Sequence, residues 1–461
     1  MARIVIIGAG MSGLAAAARL ATLGHRVTVC EAGPTYGGEV GRYERDGFAF
    51  DTGPTLLALP AVYRDLALKT GKEPLEQLVA LAPVEPESRH LFPDGTDLLL
   101  PNASRGGVAQ SLDTAFGPGT GERWSEVMNR ARTVWEATRR PLLEEPLPAD
   151  PAPLHTDPYP TAPRRGLARL RRPAPHTLAA VAAGELGGAG PTALLYEYAL
   201  RYGLDPRTAP AGATVLAYME QSFGVWYVGG GMRALADAVY RRCELRGVEF
   251  HFGTAVTELL TADDRVTGVA AGDHRFEADA VLSARPEDTA GGRPGPARLT
   301  VLLALRGERP PGTAVRTVVH ARDTAAELGT LFDAAEYPRQ PTVQVHRPDD
   351  PALAPEGHEA VTLTVTVPPG PAPADYPGHL LDHLAAAGLD LRDRVVRSES
   401  LAPGRPQPLP SLAGMGGSFL SPPNAAGPAG LYRIGAAAHP GGGLARAGMS
   451  ASIVAGLIGP A

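Results

Sequence analysis

Lysine is nearly missing from this 461-residue chain: Lys69 and Lys72 are the only two, so almost every positive charge is arginine. Biased codon usage accounts for such a skew, and it argues against lysine Schiff-base chemistry. Cysteine is equally scarce. Cys30 and Cys243 are too few and too far apart for a disulfide framework or a thiolate metal site, and a reducing cytoplasm fits. No apolar run is long enough for a membrane helix. The formal charge of −6 comes without a basic domain, which sets nucleic acid aside as a partner. The histidines His320, His346, His358, His379 and His383 read as surface or satisfied groups. His379 and His383 have i, i+4 spacing but lack the acid of a zinc-protease motif, so no metal is expected.

What the chain does have is enough length for two or three domains and, at 44% hydrophobic and 20% charged residues, an ordinary globular composition. Its N-terminus, "ARIVIIGAGMSGLAAAARLATLG", is an apolar run suited to a strand buried on both faces, then Gly8, Gly10 and Gly13 as G-x-G-x-x-G. The glycines interrupt the run, so it is not read as a signal peptide. A helix is predicted over about Ser12 to Leu23, then a strand in "HRVTVCEAG" ending at Glu31. That places a carboxylate about twenty residues past the glycines, where it can accept from ribose hydroxyls. The unit is a dinucleotide-binding βαβ, and alone it leaves NAD and FAD open. Gly37 and Gly38 continue the site where a nicotinamide enzyme would enter its next crossover. Asp46 and Gly47, ahead of alternating Phe48 and Phe50, read as the turn of a hairpin.

Over four hundred residues later, "LYRIGAAAHPGGGLARAGMSASIVAGLI" repeats the pattern of apolar strand, glycine-dense turn and small-residue helix. Between the two, "GVWYVGGGMRALADAV" sets Gly229 to Gly231 before a helix, with Met232, Leu235, Ala236 and Val239 on one face, and "VEFHFGTAVTELL" supplies a strand pattern. Together with "YGGEVGRYERDGFAFDTGPT", these stretches resemble the FAD-dependent phytoene desaturase family of carotenoid desaturases and isomerases. The resemblance covers both ends and a middle block.

It implies an α/β chain with the amine-oxidase-like flavoprotein fold: a Rossmann-like FAD-binding domain assembled from discontinuous segments (1–70, 226–290 and 405–461), plus an α+β substrate-binding domain (71–225 and 291–404). FAD would contact Gly8, Gly10, Met11, Ser12, Gly13, Glu31, Ala32, Gly37, Gly38, Arg42, Thr55 and, at the adenine, the backbone of Val256. Gly435, Gly442, Gly443 and Leu444 would lie against the isoalloxazine, the helix dipole supporting the reduced ring. The chain departs from the family at three places. Glu39 replaces the usual Arg after the paired glycines, with Arg42 as the compensating cation; Ala284 and Arg285 replace part of an Asn-Ala-Asp type sequence; Ala445 and Arg446 replace Pro and Gly.

Arg446 is nominated for flavin charge and His439 as proton acceptor or loop spacer. Tyr198, Tyr202, Tyr218 and Trp226 are candidates for the wall of a substrate tunnel, core packing being the other reading of the same aromatics. The strands "ARLTVLLALRGE" and "AVTLTVTVPP" suggest the sheet of the substrate domain. A proline-crowded stretch with Arg164, Arg165, Arg169, Arg171 and Arg172 reads as an exposed connector or, more sharply, as peripheral contact with an anionic membrane. The resulting expectation is a cytoplasmic FAD enzyme that takes hydride from an apolar isoprenoid or polyene. Two rivals are a flavin oxidase of an amine or other small molecule, and a non-catalytic prenyl carrier. Scarce lysine speaks against the first and the second glycine loop against the second.

Overall fold

In the computed structural model, residues 1–160, 177–285, 295–403, 406, 408–425 and 427–461 are described. The N-terminal unit forms as the pattern demands: β1 (Arg3–Ile7), α1 (Met11–Thr22) and β2 (Arg26–Cys30). Strands β1 and β2 pair in parallel, Ile4 opposite Val27 and Ile7 opposite Cys30. They sit inside a five-stranded parallel sheet with strands Glu249–His251 beside β2, Ala280–Ser283 beside β1, and Leu431–Arg433 at the far edge. One sheet thus gathers strands from the beginning, middle and end of the chain.

Alanine dominates α1, which suits both helix propensity and close packing. Its Leu14, Ala15, Ala17 and Ala18 share a core with Ala451, Val454 and Ala455 of the C-terminal helix (Leu444–Ile458) and with Leu235, Ala236 and Val239 of the helix Arg233–Leu245. Gly13 lets α1 sit down on the sheet, because a Cβ there would fall 2.0 Å from the Gly8 carbonyl oxygen.

A second, seven-stranded sheet runs in the order Val395–Leu401, Ala297–Arg306, His358–Val367, Val343–His346, Arg316–Val319, Ser88–Leu91, Asp97–Leu100. It is antiparallel except where Arg316–Val319 meets Ser88–Leu91. The two strands read from "ARLTVLLALRGE" and "AVTLTVTVPP" pair along their whole length, Ala297 opposite Val367 and Arg306 opposite His358. Strict alternation gives this sheet two unlike faces. Leu299, Val301, Val345, Leu363 and Val365 pack on the helix Tyr376–Ala386, while Arg298, Gln344, His346 and Thr364 face the other way, into a cleft.

Three helices, Thr120–Arg139, Ala189–Arg201 and Val215–Phe223, form a further layer around Trp124, Leu194, Tyr198 and Leu216. The hairpin expected at Asp46 and Gly47 is present, Arg42–Arg45 against Phe48–Asp51, with φ of 51° and 81° at the two turn residues. The arginine-rich stretch Arg164 to Arg172 lies outside the described residues. Among the described residues no helix is long and apolar enough to cross a membrane.

Candidate functional site

The two glycine loops end at one cleft of about 450 Å³, which is also lined by the polar face of the seven-stranded sheet. Helix α1 starts from Gly10 with no side-chain cap and no acid in its first turn, and the C-terminal helix starts from Gly443 in the same way. The first N–H groups of a helix have no partner within it and carry partial positive charge. Two such ends opening on one cavity suit a ligand with negative charge at two separated places.

Backbone contact between the first loop and the paired glycines is very close. The Gly37 N–H donates to the Ala9 carbonyl at 2.8 Å, and a Cβ on Gly38 (φ 60°) would stand 3.0 Å from the Gly10 Cα. Glu31 ties the same loop together: its carboxylate accepts from the Ala9 N–H and the Gly33 N–H, both at 2.7 Å. Lone pairs remain on both oxygens to accept hydroxyls from the cleft.

The second loop has a clamp that the sequence did not reveal. Asn424, almost wholly buried, donates to the carbonyls of Arg433 (3.1 Å) and His439 (2.7 Å), while Ser450 Oγ accepts from the Gly435 N–H at 3.1 Å. Asn424→Ala would take from the buried His439 carbonyl the donor that holds it at 2.7 Å, a cost of about 1–3 kcal/mol. The expected result is a lower Tm and poorer flavin retention; unchanged values for both would show that the loop holds itself.

The cleft receives Gly8, Gly10, Met11, Ser12, Glu31 and Gly37 from the N-terminal unit, and Gly435, Gly442, Gly443, Leu444 and Arg446 from the C-terminal one. Thr55 and Tyr202 also line it. Gly13, buried against Gly8, and the exposed Ala32 and Gly38 do not line it. Val256 does not line it; its carbonyl accepts from Arg285 at 3.0 Å, and the neighbouring Thr254 N–H donates to the Glu31 carbonyl at 2.8 Å.

Arg42 is a correction. Its guanidinium is spent on the Gly230 carbonyl (2.8 Å) and Glu44 (2.5 Å) outside the cleft. The cation that feels Glu39 is Arg298, reached from the other sheet.

His439 is also placed elsewhere than expected. Its ring is fully buried, Nε2 lies 3.0 Å from the Glu145 carbonyl, and burial lowers its pKa to about 4. It spaces the loop and does not reach the cleft. Three of the four aromatics turn into packing. Tyr198 sits in the helical core and accepts from Gln221 at 3.1 Å, Tyr218 packs at the edge of that core against Phe223, and Trp226 lies under Arg64 on the strand Val225–Val228. Arg446 does line the cleft. It is 6% exposed, its Nε has no partner among the described residues, and it stands 5.7 Å from the ring of Tyr202; burial lowers its pKa.

Sequence reasoning missed a buried polar chain along the sheet-side wall. Thr55 Oγ1 lies 2.9 Å from His346 Nδ1, His346 Nε2 lies 3.3 Å from Gln344, and Gln344 donates to Glu197 at 2.7 Å. Arg201 bridges Glu197 (2.9 Å) and Glu220 (2.8 Å), and Arg316 bridges Glu220 (3.3 Å) and Glu87 (2.7 Å). Burial alone would raise the Glu220 carboxyl, but Arg201 and Arg316 hold it below its ordinary value. Burial followed by nearby arginines lowers His346 to about 3, so it is neutral.

Burial pushes Glu87 up to about 7 despite Arg316, and Glu327, buried beside Thr342, to about 7 as well. For these two groups the folded chain binds more protons than the unfolded one from about pH 4.5 to 7, so their contribution to stability falls as pH rises through that window. Tm is therefore expected to be lower at pH 8 than at pH 5.5. A Tm that climbs over that interval would contradict protonated Glu87 and Glu327.

A parallel sheet with two uncapped glycine-loop helices on one cleft, roofed by a second mixed sheet, defines a flavoprotein of the amine-oxidase fold. Residues 11–372 match the family described as flavin containing amine oxidoreductase, and the chain belongs to it. It is a flavin-dependent oxidoreductase.

The zeta-carotene-forming phytoene desaturase of Myxococcus xanthus is 30% identical over 79% of this chain and 72% of its own. Hydroxyneurosporene desaturase of Rhodobacter capsulatus is 29% identical over 96% and 94%. Among solved structures, putrescine oxidase bound to putrescine superposes with a TM-score of 0.64 at 15% identity over 99% of this chain and 98% of that one. An oxidoreductase from Methanosarcina mazei gives 0.61 at 18% identity over 98% and 99%. These two likenesses speak for the fold alone.

Proposed function

We propose that this protein is an FAD-dependent desaturase that removes hydrogen from carbon–carbon bonds of an apolar isoprenoid or polyene. One observation carries the reading: the uncapped N-termini of both glycine-loop helices open on a single cleft that also has an apolar wall of Val40, Leu56, Leu59, Met219 and Val225. In it, Gly8, Gly10, Met11 and Ser12 would hold the FAD pyrophosphate and Glu31 the ribose, while the Val256 segment, tied to Glu31 through Thr254 but outside the cleft lining, would meet the adenine beyond it. Gly435, Gly442, Gly443 and Leu444 would hold the isoalloxazine. The sheets support a flavin domain of 1–70, 226–290 and 405–461 and a substrate domain of 71–225 and 291–404.

Bound FAD supplies the hydride acceptor. The chain's own residues orient a carbon–hydrogen bond, exclude water, and support negative charge through the C-terminal helix and Arg446. Loss of hydride leaves an allylic cation that needs only to release a proton from the adjacent carbon, so no dedicated base is required. Both lysines lie exposed on or beside the helix Ala61–Gly71, away from the cleft. No lysine is therefore available there for amine oxidation.

The test is the visible flavin spectrum under anaerobic conditions, before and after adding liposomes loaded with phytoene. The flavin band is expected to bleach. A flavin that stays oxidised moves the search to other substrates, and a protein purified without flavin revives the prenyl-carrier reading.

A further inference from the structure

The cleft is amphipathic in a way that a hydrocarbon alone does not explain. Its apolar wall continues into a small side pocket of Val134, Trp135, Leu142, Leu143 and Val215, which adjoins it at Met219 and Arg446. The opposite wall presents Arg298, Gln344, His346 and Thr364 from three neighbouring strands. Covering such groups with hydrocarbon removes water from them and returns no hydrogen bond, a penalty for each neutral group and a larger one for a charge.

Most members of this wall satisfy one another. Gln344 donates to Glu197 and meets His346; His346 is held neutral between Gln344 and Thr55; Arg201 and Arg316 share the carboxylates of Glu87, Glu197 and Glu220. Arg298 is the exception. Among the described residues its one acceptor is the Arg201 carbonyl at 2.8 Å and no carboxylate pairs with it; its main electrostatic attraction is to Glu39. Thr364, opposite Thr300 in the ladder, is the diagonal same-face neighbour of Arg298, which lies opposite Thr366. Such pairs lie about 7–8 Å apart, within reach of one ligand group. A planar guanidinium with unused donors beside a hydroxyl matches a carboxylate.

We propose that the substrate is an acyclic apolar chain that carries a carboxylate, the carboxylate seated on Arg298 and Thr364 and the chain running along the apolar wall. This rests on the isoprenoid desaturase reading and narrows its substrate class.

Anaerobic flavin reduction by three chain-matched probes tests it: phytoene, the alcohol formed at one of its terminal methyls, and the corresponding acid. The acid is expected to reduce the flavin at least tenfold more efficiently than phytoene, with the alcohol between them. In Arg298→Gln and in Thr364→Val, both checked for an intact flavin spectrum, the acid-to-hydrocarbon ratio should fall at least fivefold.

Phytoene reacting as well as the acid overturns this inference and leaves the desaturase reading standing. No reaction with any probe overturns both. An acid preference that survives both substitutions overturns the assigned residues, and loss of flavin from Arg298→Gln gives Arg298 to the cofactor instead.

Discussion

Gly442→Ala should yield a protein that no longer carries flavin. A Cβ at Gly442 would lie 1.9 Å from the Pro408 carbonyl oxygen, an overlap that backbone on both sides must move to relieve. Overpacking of this kind costs about 1–3 kcal/mol or more, and here the strain falls on the loop that leads into the C-terminal helix. Flavin affinity is expected to drop about a hundredfold, which corresponds to about 3 kcal/mol. Gly456→Ala provides the comparison from the same helix. Nothing lies within 4 Å of its added methyl, so it should stabilise by about 0.4–1 kcal/mol through reduced backbone freedom in the unfolded chain. Equal flavin content in the two variants would refute the steric account.

The second large effect is expected from Arg316→Met. Arg316 is 4% exposed and joins Glu87, which is wholly buried, to Glu220. Removing one partner of a buried ion pair strands the other and costs about 3–5 kcal/mol. Denaturant unfolding should show that loss. Adding Glu220→Gln should recover part of it, since Arg201 and Arg316 hold Glu220 ionised and a neutral amide is cheaper to bury than a carboxylate that has lost one of its two arginines. A loss below about 1 kcal/mol would mean that the network relaxes around the gap, as exposed pairs do.

The glycine loops were legible because each glycine answers a short-range demand: Gly13 must clear Gly8, and Gly47 must take a positive φ between two strands. Alternation likewise exposed the ladder from Ala297 to Arg306. The buried ion-pair chain left no such trace. Glu197 and Arg201 look like an ordinary i, i+4 helix pair, and Arg316 and Glu87 are separated by over two hundred residues. Only the fold brings them together. Arg42 misled because sequence nearness suggested it would serve Glu39, whereas Arg298 arrives from another sheet. His346 was read as surface or satisfied; it is satisfied, and it also lines the cleft. The aromatic cluster was ambiguous in principle, since core and tunnel wall demand the same residue types, and burial decided for core at Tyr198.

The parallel sheet takes its edge strand from Leu431–Arg433, and α1 takes its cover from the helix Leu444–Ile458. A nascent chain emerging from the ribosome at about 5–20 residues per second would display the first glycine loop for roughly 20–90 s before the second appears. For that interval Leu14, Ala15 and Ala18 lack the cover of Ala451, Val454 and Ala455, and the cavity lacks one of its two positive ends. Cofactor capture must therefore follow synthesis of nearly the whole chain, and the early half needs protection from sticking to its neighbours while it waits.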